Sequence, residues 1–236
     1  MRRLVFASLL AVVSGACDKI ISPDVAQIPF DLPPRSYSFN SSALGVPAGL
    51  SGDVPCGASA APVPFTDCCN PPAPVPAPGC SPNQQVACEQ NESGTEVCTV
   101  TATVSQSQMM NLGQEVSQLS GLAGVVSISI KKISYTVTVN TLDINLPDIG
   151  LYLAPSGVSD KDDPNAKKFG TLPAIAAGDM PMGDVILEGD AKTTLANRTS
   201  DIRSPFNFIA ATTVKVSHAP TGRIDMTITG QLAASP

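Results

Sequence analysis

The 236-residue chain sets 14 Lys and Arg against 20 Asp and Glu, for a formal net charge of −6, and contains 22 Pro, 7 Cys, one His and no Trp. Nucleic-acid binding draws most of its affinity from neutralised phosphates, and an acidic chain with only two short Lys pairs, Lys131/Lys132 and Lys167/Lys168, is a poor candidate for it. A single histidine likewise leaves little material for a zinc site or a histidine-based proton relay.

In chain order, Met1, Arg2 and Arg3 precede the apolar run Leu4 to Val13, and Ser14, Gly15 and Ala16 then lead to Cys17. A basic start, an apolar middle and a small-residue zone make a secretion signal over residues 1–16. The apolar run falls short of the roughly 20 residues a membrane span needs, and no second run of that kind follows. Ser14, Gly15, Ala16 and Cys17 resemble the lipobox of bacterial lipoproteins, with Ser14 where that family prefers Leu. The resemblance implies acylation of Cys17. It also implies a partner membrane reached through the lipid anchor, and a place in the cell envelope facing the periplasm or the cell exterior. The alternative is plain cleavage after Ala16, with Cys17 left free or disulfide-bonded.

Removing Cys17 from the count leaves six cysteines, Cys56, Cys68, Cys69, Cys80, Cys88 and Cys98, all within 43 residues. In an exported chain these read as three disulfides of open connectivity, with the neighbours Cys68 and Cys69 sterically ill-suited to each other. Residues 17–54 read as a lipid-anchored tether, in which Tyr37 and Phe39 alternate enough for a short strand. Residues 55–98 form a Cys/Pro-rich segment with nine prolines between Pro55 and Pro82. Proline fixes its own torsion and lacks an amide hydrogen, so this run is neither helix nor central strand, and the disulfides are expected to staple it.

From residue 99 to 236 the alternation of Val, Ile and Thr predicts strands. Val100, Ala102 and Val104 share one parity, and Ile133, Tyr135, Val137 and Val139 share another. Leu142, Ile144 and Leu146 then take the opposite parity, which predicts a bulge or turn at Asn140 and Thr141. Phe206 to Val216 and Ile224 to Leu232 read as two strands joined by a hairpin through Pro220 and Gly222. Two helical stretches are expected. One is Gln106 to Leu122, from the spacing of Met109, Leu112, Val116 and Leu119; the other is DAKTTLANRT after Gly189. The fold class expected is mainly β, an antiparallel immunoglobulin-like β-sandwich with one short helix, preceded by the Pro-rich disulfide-stapled segment. The run VTVNTLDINLPDIGLYLAP and the later KKFGTLPAIAAGDMPMGDVIL look like the LEA type 2 (water-stress) β-sandwich family, with Asn140-Thr141 in place of its Asn-Pro. The resemblance spans Val125 to Glu188 and implies a binding or protective module without catalytic residues.

Chemistry-bearing motifs are sparse. There is no G-x-S-x-G elbow, no phosphate-cradling glycine loop and no C-x-x-C pair, and His218 falls in a loop. Asp160, Asp162, Asp163 and Asn165 form a dense oxygen set, read as a solvated loop with weak Ca²⁺ binding as the alternative. Asp143, Asp148, Asp179, Asp184, Glu188 and Asp190 supply carboxylates with no fixed pairing. The reading is therefore a non-enzymatic envelope lipoprotein, a binding or structural module with no catalytic residue, cofactor or nucleic-acid partner. The alternative is a carrier holding a lipid or other hydrophobic ligand in a cavity between the sheets; an enzyme working through loop carboxylates is a third reading.

Overall fold

The computed structural model describes residues 27–46, 85–90, 94, 96–119, 127–199 and 201–235. The signal, Cys17, and the proline run with Cys56, Cys68, Cys69 and Cys80 lie outside the described residues. Among the described residues, ten strands form two antiparallel sheets: β1 Ile28–Asn40, β2 Gln85–Gln90, β3 Glu96–Met110, β4 Ser127–Asn140, β5 Ile149–Pro155, β6 Lys167–Leu172, β7 Met182–Asp184, β8 Ile186–Leu187, β9 Phe206–Val216 and β10 Arg223–Ser235. A four-stranded sheet runs β1-β10-β4-β7, and a six-stranded sheet runs β2-β3-β9-β5-β6-β8.

Alternation in the sequence dictates the packing. Val100, Ala102 and Val104 of β3 and Ile133, Tyr135 and Val137 of β4 turn inward to a common core with Phe208, Met226 and Ile228, as period-two strands with one apolar face must. At the centre, Phe208 lies 5.1 Å from Phe169, edge to face at 76°, and 6.2 Å from Tyr37. The Tyr37 hydroxyl donates to the Phe208 carbonyl at 3.1 Å, which joins the two sheets. Burial raises the Tyr37 pKa far above its ordinary value against the lowering pull of Arg35. The residual space among Met110, Ile133, Leu153, Phe169, Phe208 and Leu232 is about 10 Å³, at the threshold for one water.

The sandwich begins earlier than residue 99. β1 lies inside the stretch read as tether and pairs with β10 from Ile28↔Ala234 to Asn40↔Arg223. Its register shifts between Leu32 and Arg35, where Pro33 and Pro34 offer no amide hydrogens, a lesion that only an edge strand tolerates. β2 and the start of β3 lie inside the stretch read as Cys/Pro-rich segment. Cys98 of β3 is disulfide-bonded, and the register sets Cys88 of β2 opposite it.

Two further expectations change. Gln106 to Met110 is strand, because β9 pairs with β3 as far as Met110↔Phe206; among the described residues of that stretch, helix is confined to the single turn α1, Leu112–Glu115, and a 3-10 turn at Ser117–Leu119. The other helix, α2, spans Ala191–Thr199, within the stretch expected. The link from β9 to β10 is no hairpin: β9 belongs to the six-stranded sheet and β10 to the four-stranded one, so residues 217–222 cross between layers. β4 ends at Asn140 as its parity change predicts. There the Asn140 amide donates to the carbonyls of Ala176 and Asp179, both at 2.9 Å, while its oxygen accepts from the Leu142 amide at 3.2 Å.

Candidate functional site

β3 is longer than its neighbour. β2 pairs with it only from Glu96 to Thr101, whereas β9 follows it on the other side from Val100 to Met110. Among the described residues, the β2-side edge of β3 therefore has no strand partner beyond Thr101. An open groove of about 930 Å³ runs along this edge, where it is lined by Thr101 to Gln106, and reaches over the outer face of the sheet to Thr213 of β9. Core-facing and outward-facing residues both contribute, which happens only where a strand is approached from its side.

Two walls complete the groove. One is the 3-10 turn Ser41–Leu44 after β1, started by Asn40, whose side chain accepts from the Ser42 amide at 3.0 Å, and closed by Gly45 at φ 63°. The buried Leu44 fastens the turn to the core, and Ala43, Leu44 and Gly45 face the groove. The other wall is the loop after β5, which contributes Ser159, Asp160 and Asp162. That loop is fixed at three points: Ser105 Oγ donates to the Ser159 carbonyl at 3.1 Å, the Asn207 amide to Val158 at 2.8 Å, and Arg198 to Asn165 at 2.7 Å. Val158 and Ala166 also pack on Ala154, Ile209 and Ala211, a small apolar cluster on the outer side of the sheet.

The groove thus offers hydroxyls, one primary amide, two carboxylates and the backbone of a strand edge. Its described lining has neither histidine nor aromatic ring. At its far end the edges of β1 and β3 are laced together. The Gln106 side chain donates to the Ser38 carbonyl and accepts from the Ser38 amide at 3.1 Å, and Gln108 donates to the Ser36 carbonyl. Arg35 pairs with Glu115 beyond them.

The calcium set does not converge. Asp160 accepts from the Asp162 amide at 3.0 Å, Asp162 pairs with Lys161 at 2.6 Å, and Asp163 accepts from the Asn165 amide at 2.7 Å. Each of these contacts engages one oxygen, Oδ1, of its carboxylate. No three His, Cys, Asp or Glu side chains among the described residues gather as a metal site.

Three of the scattered carboxylates have partners of their own. Asp184 pairs with Lys132 at 3.0 Å and Glu188 with Lys168 at 2.9 Å, and these partners hold both carboxyls below their ordinary pKa. Asp143 feels some desolvation, which raises its pKa. The Thr221 amide and hydroxyl, both at 2.8 Å, together with His218 at 3.9 Å, overcome that and leave it lowered. Its contribution to stability is thus present above the ordinary carboxylate range and fades as pH falls through the lowered value. Replacing Thr221 with Val should move the Asp143 carboxyl pKa up, read from its ¹³C chemical shift against pH. An unchanged midpoint removes the assignment to Thr221. Asp143 and His218 are each about two-fifths exposed, so the stability effect should stay under about 1 kcal/mol.

The sequence reading missed the groove. The available signal was the length of β3: fifteen residues beside a β2 of six.

No protein-family model matches the chain, and no curated protein matches it in sequence. Among solved structures, one from work on the promiscuous specificity of carbohydrate-binding modules of the β-sandwich superfamily is 10% identical, with a TM-score of 0.26, and the match covers 61% of this chain and 50% of that one. A structure of infectious bursal disease virus, Gx strain, is 13% identical, with a TM-score of 0.21, covering 86% of this chain and 36% of that one. The chain spans half or less of the length of either. Similarity at this level carries no functional argument, and the sandwich stands on its own strand pairings.

Proposed function

We propose that the chain is a non-enzymatic binding module held at the cell envelope by a lipid on Cys17. The observation that carries the binding part is the open, hydroxyl-lined groove of about 930 Å³ set against a core with about 10 Å³ to spare. Pockets for small molecules occupy roughly 300–1,000 Å³, so the outer groove has room for a ligand and the space between the sheets does not. The packed core weighs against the alternative of a lipid or hydrophobic-ligand carrier, which requires a sandwich splayed around its cargo.

The anchoring part rests on the basic start, the short apolar run and the small residues before Cys17. No described helix is long and apolar enough to cross a membrane. A multiply acylated cysteine holds a protein to a bilayer far more firmly than a single chain, whose binding is marginal. The six remaining cysteines fit the same oxidising compartment: disulfides would staple the proline-rich stretch and add about 2–4 kcal/mol per bridge.

The reading is tested by growing cells with labelled palmitate. The wild-type chain should carry label and sediment with membranes, and Cys17→Ser should lose the label and become soluble. Equal labelling of the two, or no label on either, ends the lipoprotein reading.

A further inference from the structure

We propose that the groove is a strand-docking site, in which an extended, cationic peptide segment of a partner protein adds to the six-stranded sheet along the free edge of β3, end to end with β2. This deepens the binding-module reading and rests on it. Three observations converge on such an occupant.

The first is the vacancy in the sheet. β2 already fills the place beside Glu96 to Thr101, and the groove begins at Thr101 and continues to Gln106. On that side it continues a strand position in use, while Thr213 and the loop after β5 bound it over the outer face. Among the described residues no strand supplies partners for the backbone groups on that side. An exposed edge of this kind is a template for another strand, and peptides that pair with one gain affinity from main-chain hydrogen bonds.

The second is size. A groove of about 930 Å³ lies at the upper end of the range for ligand pockets, and the six β3 residues along it run roughly 17 Å, the reach of a short extended segment.

The third is chemistry. Thr101, Thr103 and Ser105 set hydroxyls along the edge, and Asp160 and Asp162 stand on the wall. Lys161 is held by Asp162, and no cationic side chain is in the described lining. The wall is thus acidic, on a chain of net charge −6, and favours Lys or Arg on the incoming strand. A glycan is the weaker fit, because the described lining has no aromatic ring on which a sugar can stack.

The test uses the full mature chain and a random library of peptides about ten residues long. Selected peptides should be rich in Lys or Arg and in β-branched residues, and should slow hydrogen exchange at Ala102 to Gln106. N-methylating alternate amides of a selected peptide, on the edge that faces β3, should weaken binding by more than about tenfold, since the main-chain bonds are lost while the side chains remain. Replacing Asp160 and Asp162 together with Asn should weaken it several-fold and flatten its salt dependence.

Equal binding of the N-methylated peptide overturns the proposal, as does a library that yields no binder. Protection of Ala102 to Gln106 in the free chain also overturns it, showing that the edge is taken up within the chain itself. If a polysaccharide panel binds in the groove while no peptide does, strand docking is wrong and the binding-module reading survives. If neither binds, both fail.

Discussion

Phe208→Ala should destabilise the domain by about 3–5 kcal/mol, the range for emptying a buried aromatic site. Phe208 is 3% exposed, sits between the Phe169 and Tyr37 rings, and lies on β9, which is paired on both sides by β3 and β5. Neighbours fixed in two sheets cannot collapse into the space it leaves, so the cavity term persists alongside the lost transfer energy. Tyr37→Phe should cost about 1 kcal/mol, through loss of the hydroxyl bond to the Phe208 carbonyl. Urea unfolding followed by circular dichroism measures both. A loss below about 1.5 kcal/mol for Phe208→Ala would mean that the sandwich repacks, and would reopen the case for a cavity between the sheets.

Gly222→Ala is the second large effect expected, a loss of about 2–4 kcal/mol from backbone strain and collision combined. Gly222 has φ 88°, and a Cβ there would stand 1.9 Å from the Thr141 carbonyl oxygen and 2.5 Å from its carbon. Those atoms are backbone and cannot swing aside. Thr141 is tied to Arg223 in both directions, its amide donating to the Arg223 carbonyl at 2.8 Å and its hydroxyl accepting from the Arg223 amide at 3.0 Å. The Gly222 carbonyl also accepts from the Ser41 amide at 3.0 Å, so displacement would pull on the turn that walls the groove. Gly157→Ala is the control: its φ is 99° but nothing lies within 4 Å of the added carbon, so it carries the torsional cost alone. Equal losses at the two positions would show that the close approach to Thr141 contributes nothing.

Legibility in the sequence followed the range of the interactions that decide each element. β4 and β10 alternate because each buries one face for most of its length, whereas β9 is buried on both faces from Phe206 to Thr212 and alternates only after that, and the parity change after Val139 marked the end of β4. Which sheet a strand joins is decided by partners far away, and no local pattern separates a hairpin from a crossing between layers. Pro220 and Gly222 mark a reversal in both cases. The Gln106 to Met110 stretch was misread because Met109, Leu112, Val116 and Leu119 keep helical spacing, while long-range pairing with β9 holds the first part extended. In the structure Met109 is 64% exposed and Met110 is buried, the opposite of what a helical stripe through Met109 requires. β1 was underestimated because two prolines break its alternation. The groove was illegible for a related reason: whether a strand is free at one side depends on where its neighbour stops.

The pairing of β1 with β10, residue 28 against residue 234, has a kinetic consequence. Among the described strands the first made waits for the last made, so the four-stranded sheet cannot close until β10 has emerged. Contacts this distant in sequence impose a slow, late closure. Until then the growing chain stays pliable enough to be threaded through a narrow conduit and at the same time exposed to aggregation.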